Sequence, residues 1–546
     1  MVKNILSLLT LRQTSILSGA FIIMAMVMVS KILGLVRDRL LAHIFPPDTV
    51  AIFFAAFRIP DLIFQIVILG ALSVAFIPVF TEYVEEKGKD EGFKLAQSVL
   101  NLFLLILTVV TIGVFIFANP LTNLIVPGFT PDQKALTAHL TRIILAGQLI
   151  LTIGSFFIGI LQSFQRFLIP ALAGVFYNIG IIIGIVFLSS SFGITGAAIG
   201  VLIGAFLHMS IQLPLIVSLG FRFQHIKTFF HPGVKEILQL MSVRTIGLAA
   251  EQINETVGVV LASLVSTASV TYLTFAQHLQ VVPIGLFGAT IAQAAFPVLS
   301  YERAKGRMEE FKTTLLTTLH QILFLALPAS AILIVLKIPS VRLTFGASQF
   351  DWEATVLTGN TLAYLAIGLS AQAVSLLLVR SFYALKDTKT PVIASIITVL
   401  VNIILSVYFV QILKLDVWSI GLANALANIL STTLLFSALF IKVGGFDKKQ
   451  VFSPFLKMLM ATIIMGVALY VPVKLLDQVI FDTTKTVNLI ILTTIASVFA
   501  LSIYIFLVWF MKVRELHTYV QLIKKIGKLP KRFKSDEYID SEASNL

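Results

Sequence analysis

Fourteen separate stretches of this chain are apolar for about 18 residues or more, long enough to cross a bilayer as a helix. They fall at roughly 15–36, 51–80, 93–118, 136–163, 168–190, 193–218, 236–263, 268–297, 313–336, 354–383, 391–413, 418–441, 454–474 and 486–511. In hydrocarbon every backbone polar group must be satisfied internally, so runs of this length leave the helix as the available element. The first run follows a polar stretch without a small-residue cleavage site and is expected to be a mature helix. Only 12% of the 546 residues are charged and 58% are hydrophobic. Soluble domains carry roughly 25% charged residues. A soluble multi-domain enzyme is therefore excluded. With no cysteine, disulfides, thiolate catalysis, Cys-ligated zinc and iron–sulfur clusters are excluded as well. No Walker A sequence, HExxH or DxD pair occurs, so ATP-driven transport and metal-dependent glycosyl transfer lack their usual signatures, and no cofactor is expected.

The net charge of +13 is mainly an orientation mark. Of the 40 Lys and Arg, 27 fall on the side of the N-terminus, eight on the opposite side and five within spans. Positive charge is retained in the cytoplasm, which predicts cytoplasmic termini at both ends. The basic tail (Lys524, Lys525, Lys528, Lys531, Arg532, Lys534) suits contact with anionic lipid. No nucleic-acid-binding motif accompanies it, so a nucleic-acid partner is not expected.

The chain repeats itself. Ala56-Phe57-Arg58, Gly70-Ala71 and Ala75-Phe76-Ile77-Pro78-Val79 resemble Phe275-Ala276-Gln277-His278, Gly288-Ala289 and Ala295-Phe296-Pro297-Val298. Phe57 and Phe275 are 218 residues apart, as are Ser163-Phe164 and Ser381-Phe382; Pro170 and Pro391 are 221 apart, and Asn178 and Asn402 are 224 apart. The period covers six spans, an even number, so both copies run in the same direction. The expected fold is an all-α polytopic membrane protein of about 14 transmembrane helices. Two parallel-repeat six-helix lobes (1–218 and 219–442) surround a central cavity, followed by a helix pair (443–511) and a basic tail (512–546). Gly196, Gly200 and Gly204, and more weakly Gly421 and Ala425, mark close helix packing.

Charges inside apolar spans are expensive and usually face a cavity or a partner. The first span ends Ser30-Lys31-Ile32-Leu33-Gly34-Leu35-Val36-Arg37-Asp38-Arg39. Lys31 and Arg37 lie about 600° apart around a helix, so both can edge a broad cavity, although cations near helix ends also snorkel. Arg58 has Pro60 beside it and Asp61 three residues on, so a self-contained Arg58–Asp61 pair is the simplest structural reading. The seventh span carries Arg244, Glu251 and Glu255; the two acids are candidates for a proton or cation site, or for counter-charges to Arg58 and Arg244. His278 titrates near neutral pH in an ordinary setting, and a structural role is equally open to it. Arg142 and Arg380 sit near span ends, where snorkelling suffices. Clustered Lys and Arg suit a phosphate-bearing ligand.

Four segments carry a family resemblance: Ser30 through Asp38, Phe57-Arg58-Ile59-Pro60-Asp61, Gly70 through Val79, and Ser381-Phe382-Tyr383-Ala384-Leu385-Lys386-Asp387-Thr388-Lys389-Thr390-Pro391. On these the chain resembles the lipid II flippase (MurJ, MviN) family of the multidrug/oligosaccharidyl-lipid/polysaccharide exporter superfamily, over about residues 15–511. The resemblance implies a bacterial plasma-membrane transporter. It would move an undecaprenyl-pyrophosphate-linked glycopeptide from the cytoplasmic to the outer leaflet, with cell-wall synthesis proteins as partners. It also implies that Lys31, Arg37 and Arg58 meet the pyrophosphate, with Asp38, Arg244 and His278 alongside. The chain departs from the family pattern at Ala51, Phe64-Gln65, Leu69 and Gln277-His278, where members commonly carry acids or arginines. It departs also at Gly258 and Ser406, where some members carry sodium-linked acids. Coupling to membrane potential, Na+ or H+ stays open, with Glu251 and Glu255 as candidates. Two other readings also stay open: a flippase for another polyprenyl-pyrophosphate-linked saccharide, and a cation-coupled exporter of small molecules.

Overall fold

The computed structural model describes residues 16–69, 75–222, 231–477 and 481–526. Side-chain caps open the helices that start at Pro131, Pro232 and Lys448, supplied by Thr130, His231 and Asp447. Helix α1 spans Ile16–Ile44 and α2 Pro47–Phe64, the latter with Pro47 in its first turn, where the missing N–H costs nothing. They are followed by α3 (Lys89–Ile116), α4 (Pro131–Ser163), α5 (Leu168–Ile183), α6 (Ile194–Ser210), α7 (Pro232–Val265) and α8 (Ser269–Pro283). Thr130 and Gln133 form a reciprocal capping box at the start of α4. The chain continues through α9 (Met308–Val335), α10 (Trp352–Ile367), α11 (Leu369–Ala384), α12 (Lys389–Val407), α13 (Trp418–Lys442), α14 (Lys448–Leu476), α15 (Thr486–Phe510) and α16 (Arg514–Ile526).

Among the described residues eleven helices are long and apolar enough to cross a membrane, and α10 with α11, bent by 44°, raises this to twelve. That falls short of the fourteen expected. The other two expected spans also fold as helices, α1 and α7, but α1 is described only from Ile16 and α7 carries Arg244, Glu251 and Glu255 along its apolar run.

The internal repeat is visible in the backbone. The second and fifth spans of the first half carry π turns at Gln65–Leu69 and Gly184–Leu188. The corresponding spans of the second half carry them at Ile284–Ala289 and Tyr408–Ile412. Each half also turns on a non-glycine residue in left-handed conformation: Gln165 at φ 58° and Lys386 at φ 59°. The closing bonds match, Arg166 N to Leu161 O at 2.8 Å and Asp387 N to Phe382 O at 2.9 Å. These turns correspond at an offset of 221, like Pro170 and Pro391. The 218-residue match of Ser163-Phe164 with Ser381-Phe382 differs from it by three residues, about one helical turn. The Gly70-Ala71 part of the repeat lies outside the described residues.

Contacts divide the chain into two compact units. The first comprises residues up to 279 with 340–364 and 392–427; the second comprises 280–339, 365–391 and the chain from 428 onward. In the first unit a phenylalanine-rich core includes Phe76, Phe80, Phe103, Phe156 and Phe157. Helices α5 and α6 touch backbone to backbone: a Cβ on Gly200 would lie 2.8 Å from Gly184 Cα, and one on Gly204 would lie 2.4 Å from Tyr177 O. The glycine ladder is a packing seam, as its four-residue spacing predicts.

In the second unit the break at Gly368 frees carbonyls that lipid could not satisfy. Gln280 Nε2 donates to Leu365 O at 2.9 Å and Ser330 Oγ to Ala366 O at 2.7 Å, so neighbouring helices absorb the bend. An apolar cavity of about 770 Å³ opens between α9, α11, α13 and α14, lined by residues such as Leu323, Leu327, Phe436, Phe455 and Ile463. Asp387 accepts from the backbone of Lys389 and Thr390 at the start of α12, and from Lys442. Burial works against its charge, yet the hydrogen bonds from Lys442 and Thr390 hold its carboxyl at about 2. After Lys512, at φ 55°, the chain turns sharply into α16. That helix docks through Tyr519, which stacks on Phe324 at 5.2 Å and donates to Gln321 O at 3.0 Å. Buried Glu515 meets His320 at 3.4 Å. The basic residues beyond α16 lie outside the described residues, as do the side chains of Lys524 and Lys525.

Candidate functional site

All the described candidate residues fall in the first unit. Near its C-terminal end, α1 presents Lys31, Arg37 and Asp38. Asp38 is 1% exposed, and a carboxylate so enclosed needs charged donors. It has two. Arg37 donates to Oδ1 through Nε at 3.0 Å and Nη2 at 2.8 Å, and His278 Nδ1 lies 2.7 Å from Oδ2. An acceptor-only carboxylate on that side places the proton on Nδ1, and Nε2 has no hydrogen-bond partner among the described residues. The ring is oriented by Phe54, packed edge-on at 5.8 Å. The resemblance puts Asp38 beside the pyrophosphate; in the structure it bridges Arg37 of α1 and His278 of α8.

Arg58 corrects one expectation. It does not close on Asp61 within α2. Its Nη1 reaches across to Glu255 Oε2 of α7 at 2.9 Å. Asp61 instead accepts from Gln148 Nε2 of α4 at 3.2 Å. Arg58 Nε and Gln148 Oε1 are buried with no hydrogen-bond partner among the described residues. Glu255 is 46% exposed and Glu251, one turn away, is exposed as well, so the two acids form a ridge on α7. Lys31 is half-buried and has no carboxylate partner among the described residues. The side chain of Arg244 lies outside the described residues. Arg142 donates to Phe115 O at 3.1 Å, a local structural contact.

Two features were missed by sequence reasoning. Gln148 reads as one polar residue in an apolar run, and only the packing of α4 against α2 gives it a role. Arg39 donates to Leu343 O at 2.7 Å and Thr344 O at 3.2 Å, capping the C-terminal end of helix Lys337–Phe345. That partner lies about 300 residues away, beyond any local pattern.

At the positions of departure, Ala51 is fully buried and Gln65 opens the first π turn. Ser406 donates to Asn402 at 3.5 Å, and Asn402 donates to Asn254 at 2.7 Å, a neutral chain in place of acids.

The family model described as lipid II flippase MurJ matches residues 41–488. A probable lipid II flippase MurJ of Buchnera aphidicola subsp. Acyrthosiphon pisum is 29% identical over 460 residues, covering 83% of this chain and 89% of that one. One from Bdellovibrio bacteriovorus is 28% identical over 452 residues, covering 82% and 86%. Among solved structures, a lipid II flippase MurJ in an inward closed conformation aligns with TM-score 0.74 at 26% identity, covering 89% of this chain and 98% of that one. An inward-facing multidrug transporter of the MATE family aligns with TM-score 0.65 at 16% identity, covering 78% and 98%, and shares the fold. A family match across most of the chain, a fold shared with solved transporters and a row of apolar helices agree: this chain belongs to the lipid II flippase family, and is a multi-pass transporter of the bacterial inner membrane, not an enzyme.

Proposed function

We propose that this chain carries lipid II, the lipid-linked peptidoglycan precursor, from the cytoplasmic to the outer leaflet by alternating access. The carrying observation is the cationic set on α1 and α2. Lys31 has no carboxylate partner among the described residues, and Arg58 is held by Glu255, an exposed acid that a pyrophosphate can displace. Arginine offers bidentate contacts to phosphate and lysine a point charge. His278 presents Nε2 beside them, and Asp38 holds Arg37 and His278 in register. Two repeat lobes, 1–218 and 219–442, rock about the head group, with 443–511 and the tail 512–546 appended and both termini in the cytoplasm. The apolar cavity of the second unit has the chemistry to take part of the prenyl chain. Glu251 and Glu255 are the coupling candidates for Na+ or H+, membrane potential being the third drive. The tail rests on anionic lipid, and cell-wall synthesis proteins supply the substrate and take it up.

The departures at Ala51, Gln65, Leu69 and Gln277 favour one second reading: the same operation on another polyprenyl-pyrophosphate-linked saccharide. Reconstitution into vesicles with labelled lipid II decides. Exposure of the label on the far leaflet, lost in Lys31→Ala and Arg58→Ala, is expected. Movement of a different polyprenyl saccharide but not lipid II would sink the leading substrate. Cation-coupled export of small molecules alone would replace both readings.

A further inference from the structure

The charges of the site nearly cancel before a ligand enters. Arg37 and Arg58 face Asp38, Asp61 and Glu255 in the same unit, and Lys31 stands on the same helix as Arg37. The three carboxylates are not equally secured. Asp38 is held by Arg37 and His278. Glu255 has Arg58 and is 46% exposed, so water can serve its free lone pairs. Asp61 has one donor among the described residues, the neutral Gln148 amide at 3.2 Å. The groups facing Asp61 are Arg58 on its own helix, Glu255 on α7, Arg37 on α1 and the phenol of Tyr177 on α5. Its nearest cation, Arg58, is thus already bound to a second acid.

A pyrophosphate that draws Arg58 toward itself brings more negative charge and leaves Asp61 with less compensation than before. An uncompensated carboxylate in a low-dielectric setting is costly, and gaining a proton is the usual escape. We propose that Asp61 takes up a proton from water when an anionic pyrophosphate head group engages Arg58, so that ligand and proton occupy the site together. Only the choice of pyrophosphate as ligand rests on the flippase reading. Asp61 thereby becomes a substrate-linked residue and adds a third acid to the coupling candidates. Gln148 is its positioning residue: the amide that now donates through Nε2 can rotate to offer the unpartnered Oε1 to a protonated Asp61.

The test is calorimetric titration of the full-length protein in nanodiscs with inorganic pyrophosphate, in two buffers of different ionisation enthalpy. Proton uptake by the wild type is expected to exceed that of Asp61→Asn by about one proton near neutral pH. The ligand's own proton exchange is common to both and cancels. Asp61→Glu is expected to restore the uptake and to shift the pH at which affinity falls; it keeps the test alive if Asp61→Asn does not fold. Equal uptake in wild type and Asp61→Asn, or an unshifted pH profile in Asp61→Glu, overturns the assignment. Asp61-dependent uptake combined with no lipid II movement in vesicles leaves it standing and overturns the substrate reading. Lipid II movement with Asp61-independent uptake does the reverse.

Discussion

At the scale of the residue, enclosure separates the acids of the site. Asp38→Asn removes a carboxylate that is 1% exposed and leaves Arg37 without its partner. Breaking such a pair costs about 3–5 kcal/mol, so thermal unfolding in detergent is expected to shift clearly downward. Glu255→Gln touches an exposed acid, and its stability change is expected within about 1 kcal/mol; its effect belongs in transport, measured by vesicle flipping. Asp387 offers a pH test. Its carboxyl is held at about 2, below the usual carboxylate range, by Lys442 and Thr390. A depressed value stabilises the fold above the unfolded pKa of about 4, and the contribution fades as pH falls from there toward 2. The melting difference between wild type and Asp387→Asn is therefore expected to be full at pH 7 and to close below about pH 4; a constant gap would refute it. The charged residues were legible in the sequence because apolar runs make each charge conspicuous. Their partners were not. Arg58 and Asp61 at i,i+3 invite a local pair, and the outcome turned on α7 and α4 each offering a better-placed polar group.

At the scale of the element, glycine spacing was the readable signal. Gly200→Ala places a methyl 2.8 Å from Gly184 Cα, against backbone that has no side chain to move aside. A destabilisation of about 1–3 kcal/mol is expected from such overpacking. Gly113→Ala, with nothing within 4 Å of its Cβ, is expected to leave the melting temperature unchanged and serves as the control. The terminal helix α16 docks through Tyr519 and the buried Glu515. Tyr519→Ala removes its stacking on Phe324 and its bond to Gln321 O. Amide exchange in 514–526 is expected to rise at least several-fold while α9 and α15 stay protected. The π turns were invisible beforehand, because an inserted residue leaves an all-apolar run looking like any other.

At the scale of the whole molecule, hydrophobic length and the placement of Lys and Arg predicted a polytopic helical chain, and the family match and fold agree with it. The absence of cysteine makes the proposed topology directly testable. Single cysteines at the exposed positions Glu86, Glu310 and Lys449 are expected to label from the cytoplasmic side, and those at Asp132 and Gln349 from outside, with membrane-impermeant maleimide on intact and opened cells. Labelling with the two sides exchanged would invert the proposed orientation, and labelling of both groups from one side would overturn the span assignment. The repeat was readable from scattered identities, but its register needed the backbone, since the offset drifts from 218 to 224 along the half. The paired π turns supply a ruler for that drift. A π turn holds one more residue than the α-helical path of equal rise. A relative without the bulge at Gln65–Leu69 must therefore be one residue shorter between Arg58 and Pro78, and aligning it without a gap there would assign every later side chain of that span to the wrong face.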